Sequence, residues 1–211
     1  MNTVLVDSRA LRISGAVLSG GQSSRMGQEK GLMKLGGISL VERVAAAVSE
    51  VADEVVIAVA PSKIREYRSI LDSRYKIVAD KQRDQGPIFG LISGLSSASG
   101  DFVVVCPCDT PLVRPEVLKM IREKAVGFDC AVPVIRGYLE PLVACYSRTV
   151  CLSAFEKRVS SGALKLVDAL KGLNVVRVPE QSIRRLDPEL ESFWNLNTPT
   201  DLAEAEMRLE R

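Results

Sequence analysis

The stretch LSGGQSSRMGQEK, residues 18–30, follows the apolar run ISGAVL at residues 13–18 and precedes a segment whose apolar residues recur with helical period. A glycine-rich turn between a first strand and a first helix is where open α/β sheets place ligands, at the carboxyl end of a strand. Gly20 and Gly21 lack a Cβ, so the backbone there can approach a ligand closely and turn successive N–H groups toward one anion. Ser23 and Ser24 add hydroxyl donors. Arg25 offers a planar fork of donors and Lys30 a compact charge, so the two can grip different parts of a polyphosphate. The spacing matches neither G-x-x-x-x-G-K-[ST] nor G-x-G-x-x-G, which excludes the two better-known phosphate loops. A Gly-Gly pair alone reads as a solvated turn; two cations behind a first strand shift the reading toward phosphate.

Outward from this loop, apolar β-rich runs alternate with helical patterns, the arrangement of a largely parallel sheet covered by helices on both faces. Strands are expected at residues 13–18, 55–59, 76–79 and 102–106, with helices at 39–51, after Pro61 and Ser62, and at 88–98. The second half is less regular. Strands are expected there at 130–134, 142–146 and 175–178, and short helices at 151–159 and 164–170. Thr198, Pro199 and Asp201 form a cap, a first-turn proline and a capping-box acid for a last helix of roughly a dozen residues. The expected organisation is one domain over residues 13–211, preceded by an extension over residues 1–12.

Two carboxylates sit just past strands. Asp109, in CPCDTP, follows the most apolar strand and is placed either to hold Mg²⁺ beside phosphate oxygens or to cap the turn before Pro111. Asp80 is placed either to accept from a ribose hydroxyl, with the backbone at Gly86 reading a base edge, or to lie on the surface. In WNLNTPTD, Asn195 and Asn197 are two apart and so share one side of an extended segment. They can complete a metal or phosphate site, or serve only the turn and cap.

Composition narrows the chemistry. The chain has 211 residues, 46% of them apolar, with 28 basic against 26 acidic side chains. A net charge of +2 gives no footprint for a nucleic-acid partner. No apolar run approaches the ~20 residues of a membrane span, and the first residues carry no secretory pattern, so a soluble, cytoplasmic protein is expected. The five cysteines are scattered without a C-x-x-C pair and read as small buried hydrophobes. The chain has no histidine, which removes Ser-His and Cys-His nucleophile systems and leaves carboxylates, amides, Lys, Arg and metal to do the work.

Four segments in order, residues 18–30, GPIFGLISGL at 86–95, 102–111 and 195–201, resemble the MobA family of molybdenum cofactor guanylyltransferases, within the nucleotidyltransferase superfamily. The resemblance covers nearly the whole chain. It implies a single-domain Rossmann-like fold with a mixed, mostly parallel sheet. It also implies GTP held by Leu18, Ser19, Gly20, Gly21, Arg25, Lys30, Asp80 and Gly86, and Mg²⁺ on Asp109. Arg25, Lys30 and Asp109 would be the catalytic set, with Asn195 and Asn197 facing acceptor or metal. The implied partners are GTP and molybdopterin, together with molybdoenzyme or cofactor-biosynthesis proteins. The G-P-x-x-G-L segment resembles the guanylyl branch more than the cytidylyl one. Residues 137–142 lie where relatives meet the pterin. Other readings of the same donor loop are transfer from CTP, a sugar-phosphate acceptor, or a GTP-binding cofactor carrier without catalysis.

Overall fold

The computed structural model describes residues 10–20, 29–80 and 86–209. Its central sheet is built on β1 (Ile13–Ser19), whose register runs parallel to β4 (Glu54–Val59) on one side and to β6 (Phe102–Pro107) on the other. Beyond β4 lies β5 (Lys76–Ala79), also parallel. On the other flank β9 (Ala144–Ser147) is antiparallel to β6 and to β7 (Cys130–Ile135), and β10 (Val175–Pro179) pairs parallel to β7. The order is thus β10-β7-β9-β6-β1-β4-β5, with β8 (Tyr138–Leu139) hairpinned onto β7. A two-stranded ribbon, β2 (Lys34–Leu35) and β3 (Ile38–Ser39), stands apart. The sheet is mixed and mostly parallel, as expected.

Alternation along β1 divides the core. Val17 packs on the face covered by α1 (Leu40–Ser49) and α4 (Pro115–Ala125), while Ala16 and Leu18 pack on the face of α3 (Pro87–Ser97) and α5 (Arg148–Ser160). A strand buried on both faces must be apolar throughout, and Ala16, Val17, Val103, Val104 and Val105 have no exposed surface. The helix α1 begins where Ser39 Oγ accepts from the Glu42 amide and Glu42 reaches back to the Ser39 amide, a capping box inside the expected 39–51 helix. Short helices α2 (Ile64–Ile70), α6 (Leu166–Ala169) and α7 (Glu180–Arg184) fill the margins. The expected strand at 142–146 starts two residues later, because residues 141–143 still turn, closed by the Val143 amide donating to the Glu140 carbonyl.

The last helix, α8 (Pro199–Leu209), seats Ala205 against Leu35, Leu40 and Leu196 in a small separate apolar cluster. Its cap is the expected one: Thr198 Oγ1 accepts from the Asp201 amide, and Asp201 Oδ2 accepts from the Asn197 and Thr198 amides. These bonds, first that from Asn197, hold the Asp201 carboxyl below its usual range. No helix among the described residues is long and apolar enough to cross a membrane.

Candidate active site

A cavity of about 570 Å³ opens at the carboxyl ends of β1, β5 and β6. Leu18, Ser19 and Gly20 bring β1 to its floor, and a short 3₁₀ turn at Lys30–Leu32 returns the chain to the same place. Lys30 Nζ donates to Asp109 Oδ2 at 2.7 Å and to Asn197 Oδ1 at 2.8 Å, joining three segments separated by 79 and 167 positions. The Leu196 amide donates to the Asp109 carbonyl at 2.8 Å, so the backbone of the terminal motif is tied to the β6 end as well. Asn197 Nδ2 donates to the Asn195 carbonyl, and both amides line the cavity while Leu196 between them is buried. That is the two-residue alternation expected of an extended segment.

Asp109 shows which of its two sequence readings the geometry favours. Its side chain makes no cap to the following turn, which is closed instead by Thr110 donating to the Pro107 carbonyl. Oδ2 is paired with Lys30, and Oδ1 is buried with no hydrogen-bond partner among the described residues. A buried carboxylate oxygen left unpaired is costly, and the carboxylate that carries it belongs to a residue lining the cavity, which suits it to a cation that arrives with a ligand. No group of three or more His, Cys, Asp or Glu residues that could hold a metal ion gathers among the described residues. The donor set fits a hard ion that takes one or two carboxylates and fills its shell from phosphate oxygens and water.

Asp80 is buried rather than on the surface, at 3% exposure. Its amide donates to the Val59 carbonyl, which extends the β4–β5 pairing past the strand end, and Ser93 Oγ from α3 donates to Oδ1 at 3.3 Å. Gly86, at the same rim, has φ 118° and ψ 167° and precedes Pro87 in the first turn of α3. That backbone conformation is essentially restricted to glycine, which accounts for a Gly-Pro pair opening this helix. Gly21 and Arg25, with Ser23 and Ser24, lie outside the described residues.

Several contributors carry no signal at motif level. Tyr67 of α2 is fully buried, and its Oη lies 2.6 Å from Ser19 Oγ. Gly31 packs so closely on both that a Cβ would stand 2.2 Å from Ser19 Oγ and 2.4 Å from Tyr67 Oη. Cys108 lines the floor, but burial first, and then the Asp109 charge, push its thiol up to about 12, so it stays a protonated, inert group. All five cysteines are buried and free. A second, more apolar part of the lining comprises Pro141, Leu142, Leu166 and Phe193, with Glu140 among them; burial raises the Glu140 carboxyl above its ordinary value.

With this geometry in hand, similarity to known proteins is informative. The chain is 34% identical over 200 residues to the "Probable molybdenum cofactor guanylyltransferase" of Pelotomaculum thermopropionicum, covering 95% of each chain. It is 31% identical to the molybdenum cofactor guanylyltransferase of Desulfosudis oleivorans, over 94% of this chain and 96% of that one. Among solved structures, the molybdopterin-guanine dinucleotide biosynthesis protein A of Archaeoglobus fulgidus superposes with a TM-score of 0.78 at 34% identity, covering 93% and 98% of the two chains. The 2-C-methyl-D-erythritol 4-phosphate cytidylyltransferase of Thermus thermophilus, at 18% identity and a TM-score of 0.72 over 95% of this chain and 100% of that one, shares the fold. The family model described as the MobA-like NTP transferase domain matches residues 15–174, and the chain, bearing its polar cluster where the strands of that fold end, belongs to this family.

Proposed function

We propose that the protein transfers GMP from GTP to the terminal phosphate of molybdopterin, releasing pyrophosphate and forming the guanine dinucleotide cofactor. The observation that carries this reading is the meeting of Lys30, Asp109 and Asn197 at the floor of one cavity, where a phosphate loop, a strand end and the terminal motif converge. Relatives of 31–34% identity over nearly the whole chain, named for guanylyl transfer to molybdenum cofactor, support the choice of donor and acceptor. One nucleotidyltransferase domain over residues 13–211 behind a short extension belongs to the same proposal. It is supported by Arg12, whose amide donates to Asp101 and whose carbonyl accepts from the Asp101 amide, pinning the chain just ahead of β1. So does a cytoplasmic setting, supported by five cysteines left as buried thiols.

Both reactants are anionic, so the work of the site is to neutralise charge and hold an in-line approach of the acceptor phosphate to the α-phosphorus. Lys30 supplies a cation at the cavity floor, oriented by Asp109 and Asn197. Gly20 and Gly21 bring the backbone close to the triphosphate and Arg25 adds a forked donor. Asp80 accepts from a ribose hydroxyl, its orientation set by Ser93, and the backbone around Gly86 meets the base edge. Asp109, with the amide oxygens of the terminal motif nearby, would hold Mg²⁺, which when bound supplies phosphate charge neutralisation and stabilises departing pyrophosphate. The acceptor phosphate is ionised near neutral pH, so no general base is required and none of the five thiols is recruited.

The test is pyrophosphate release from each of the four nucleoside triphosphates with molybdopterin, and with sugar phosphates as competing acceptors. Turnover restricted to GTP and molybdopterin is the expected result. A preference for CTP overturns the base assignment, and GTP binding without pyrophosphate overturns catalysis.

A further inference from the structure

We infer that Tyr67 is a positioning residue that ties the two ends of the phosphate-binding loop together and so sets where Lys30 stands. This rests on the reading of residues 18–30 as the triphosphate loop. Tyr67 comes from α2, outside every motif segment, has no exposed surface, and contributes nothing to the cavity lining. Yet its hydroxyl touches both flanks of the loop. Oη lies 2.6 Å from Ser19 Oγ, where β1 delivers the chain to the loop, and donates at 3.5 Å to Glu29 Oε1, one residue before Lys30. The Ser19 and Tyr67 hydroxyls share one hydrogen bond in which either can donate, and Tyr67 reaches on to Glu29, so the three groups link the loop's entry to its exit.

Two further features make the junction tight. Glu29 precedes the 3₁₀ turn in extended conformation and carries the backbone straight into Lys30. Gly31 then passes against both hydroxyls with no room for a methyl group, so the exit strand is held on two sides. Burial keeps the Tyr67 phenol well above its ordinary pKa, so it remains a neutral donor at every pH the protein meets. From this backbone the Lys30 side chain reaches to Asp109 and Asn197.

Tyr67→Phe keeps the buried ring and removes only the tie. Measured on the full chain, it is expected to lower kcat/KM for GTP by about 10- to 10²-fold, the scale of a misplaced catalytic group, while KM for molybdopterin stays within about twofold. Glu29→Gln, which weakens the same tie without touching the core, is expected to move the GTP parameters in the same direction. The double variant is expected to fall no further than Tyr67→Phe alone, as for two members of one unit. Should Tyr67→Phe fail to fold, Glu29→Gln carries the same readout. Unchanged GTP parameters in a folded Tyr67→Phe, with Lys30→Ala still inactive, overturn the tie and leave the loop reading standing. Unchanged GTP parameters in Lys30→Ala overturn the loop reading itself, and additive losses in the double variant overturn the coupling.

Discussion

The two walls of the cavity are held in different ways. On the wall formed by the ends of β1, β5 and β6 and by the terminal motif, charged and polar side chains from different elements bind one another: Lys30 to Asp109 and Asn197, Ser93 to Asp80, Ser19 to Tyr67. On the more apolar wall, Leu142, Leu166 and Phe193 present carbon, and the polar work is done behind the surface. Tyr146 Oη donates to the Pro141 carbonyl, and the fully buried Asp187 accepts from the Glu191 and Ser192 amides while meeting Arg114 Nε at 3.5 Å. Arg114 in turn donates to Glu191 Oε2, whose carboxyl that bond holds below its usual range. One wall is thus built to meet charge at fixed points. The other is built to offer a shape, with its hydrogen bonds serving the scaffold.

If this division is real, variants on the two walls will fail in different observables. Asp109→Ala or Lys30→Ala is expected to lower turnover by at least ~10²-fold in steady-state pyrophosphate release. Asp109→Asn keeps the melting temperature while sharing the kinetic loss, which separates charge from packing. Next in size is Asp187→Ala, expected to destabilise the fold by about 2 kcal/mol in denaturant titration, because it strips two backbone donors of their acceptor and leaves Arg114 without one partner. Its GTP parameters in the folded fraction should be normal. Phe193→Ala is expected to raise KM for molybdopterin about 10-fold with KM for GTP unmoved, the scale of a few lost apolar contacts. A rise in the GTP KM instead would erase the distinction between the walls.

The smallest effect belongs to Glu140. Burial raises its carboxyl above the ordinary 4.5, so the neutral form is the better tolerated one in the fold. Its contribution is fully present below that ordinary value and is lost as pH rises through the raised one. Glu140→Gln should therefore match the parent in acid and melt slightly higher than it above this window, a difference visible in melting temperature against pH.

The polar wall was largely legible in the sequence and the apolar wall was not. Glycines at 20 and 86, carboxylates after strands and the Thr198 cap are local signals, each readable within a few residues. Asp80, for which a surface position was an open alternative, is instead enclosed, because α3 crosses directly over the β5 end and brings Ser93 to it. Tyr67 carries no local signal, since a tyrosine in IREYRSI looks like any core aromatic until the fold sets it beneath Ser19. Residues 115–125 form α4 although no helix was expected there, and the information was present: Pro115 suits a first turn, and Val117, Leu118, Ile121 and Ala125 fall on one buried face. The apolar wall depends on β9 running antiparallel between β6 and β7 and on Asp187 capping a turn around Leu190, which adopts a left-handed φ of 58°. Pairing direction and a non-glycine left-handed residue are decided by tertiary packing, which local patterns do not report.

The amide of Leu196 and the side chain of Asn197 close on a lysine and an aspartate that leave the ribosome far earlier. Translation proceeds from the amino end, so the central strands are synthesised before the segment that carries Leu196 and Asn197. Until that segment exists, Lys30 lacks the Asn197 acceptor and the Asp109 carbonyl lacks the Leu196 donor. A polypeptide that stops before residue 195 keeps the whole central sheet and loses both bonds of this latch.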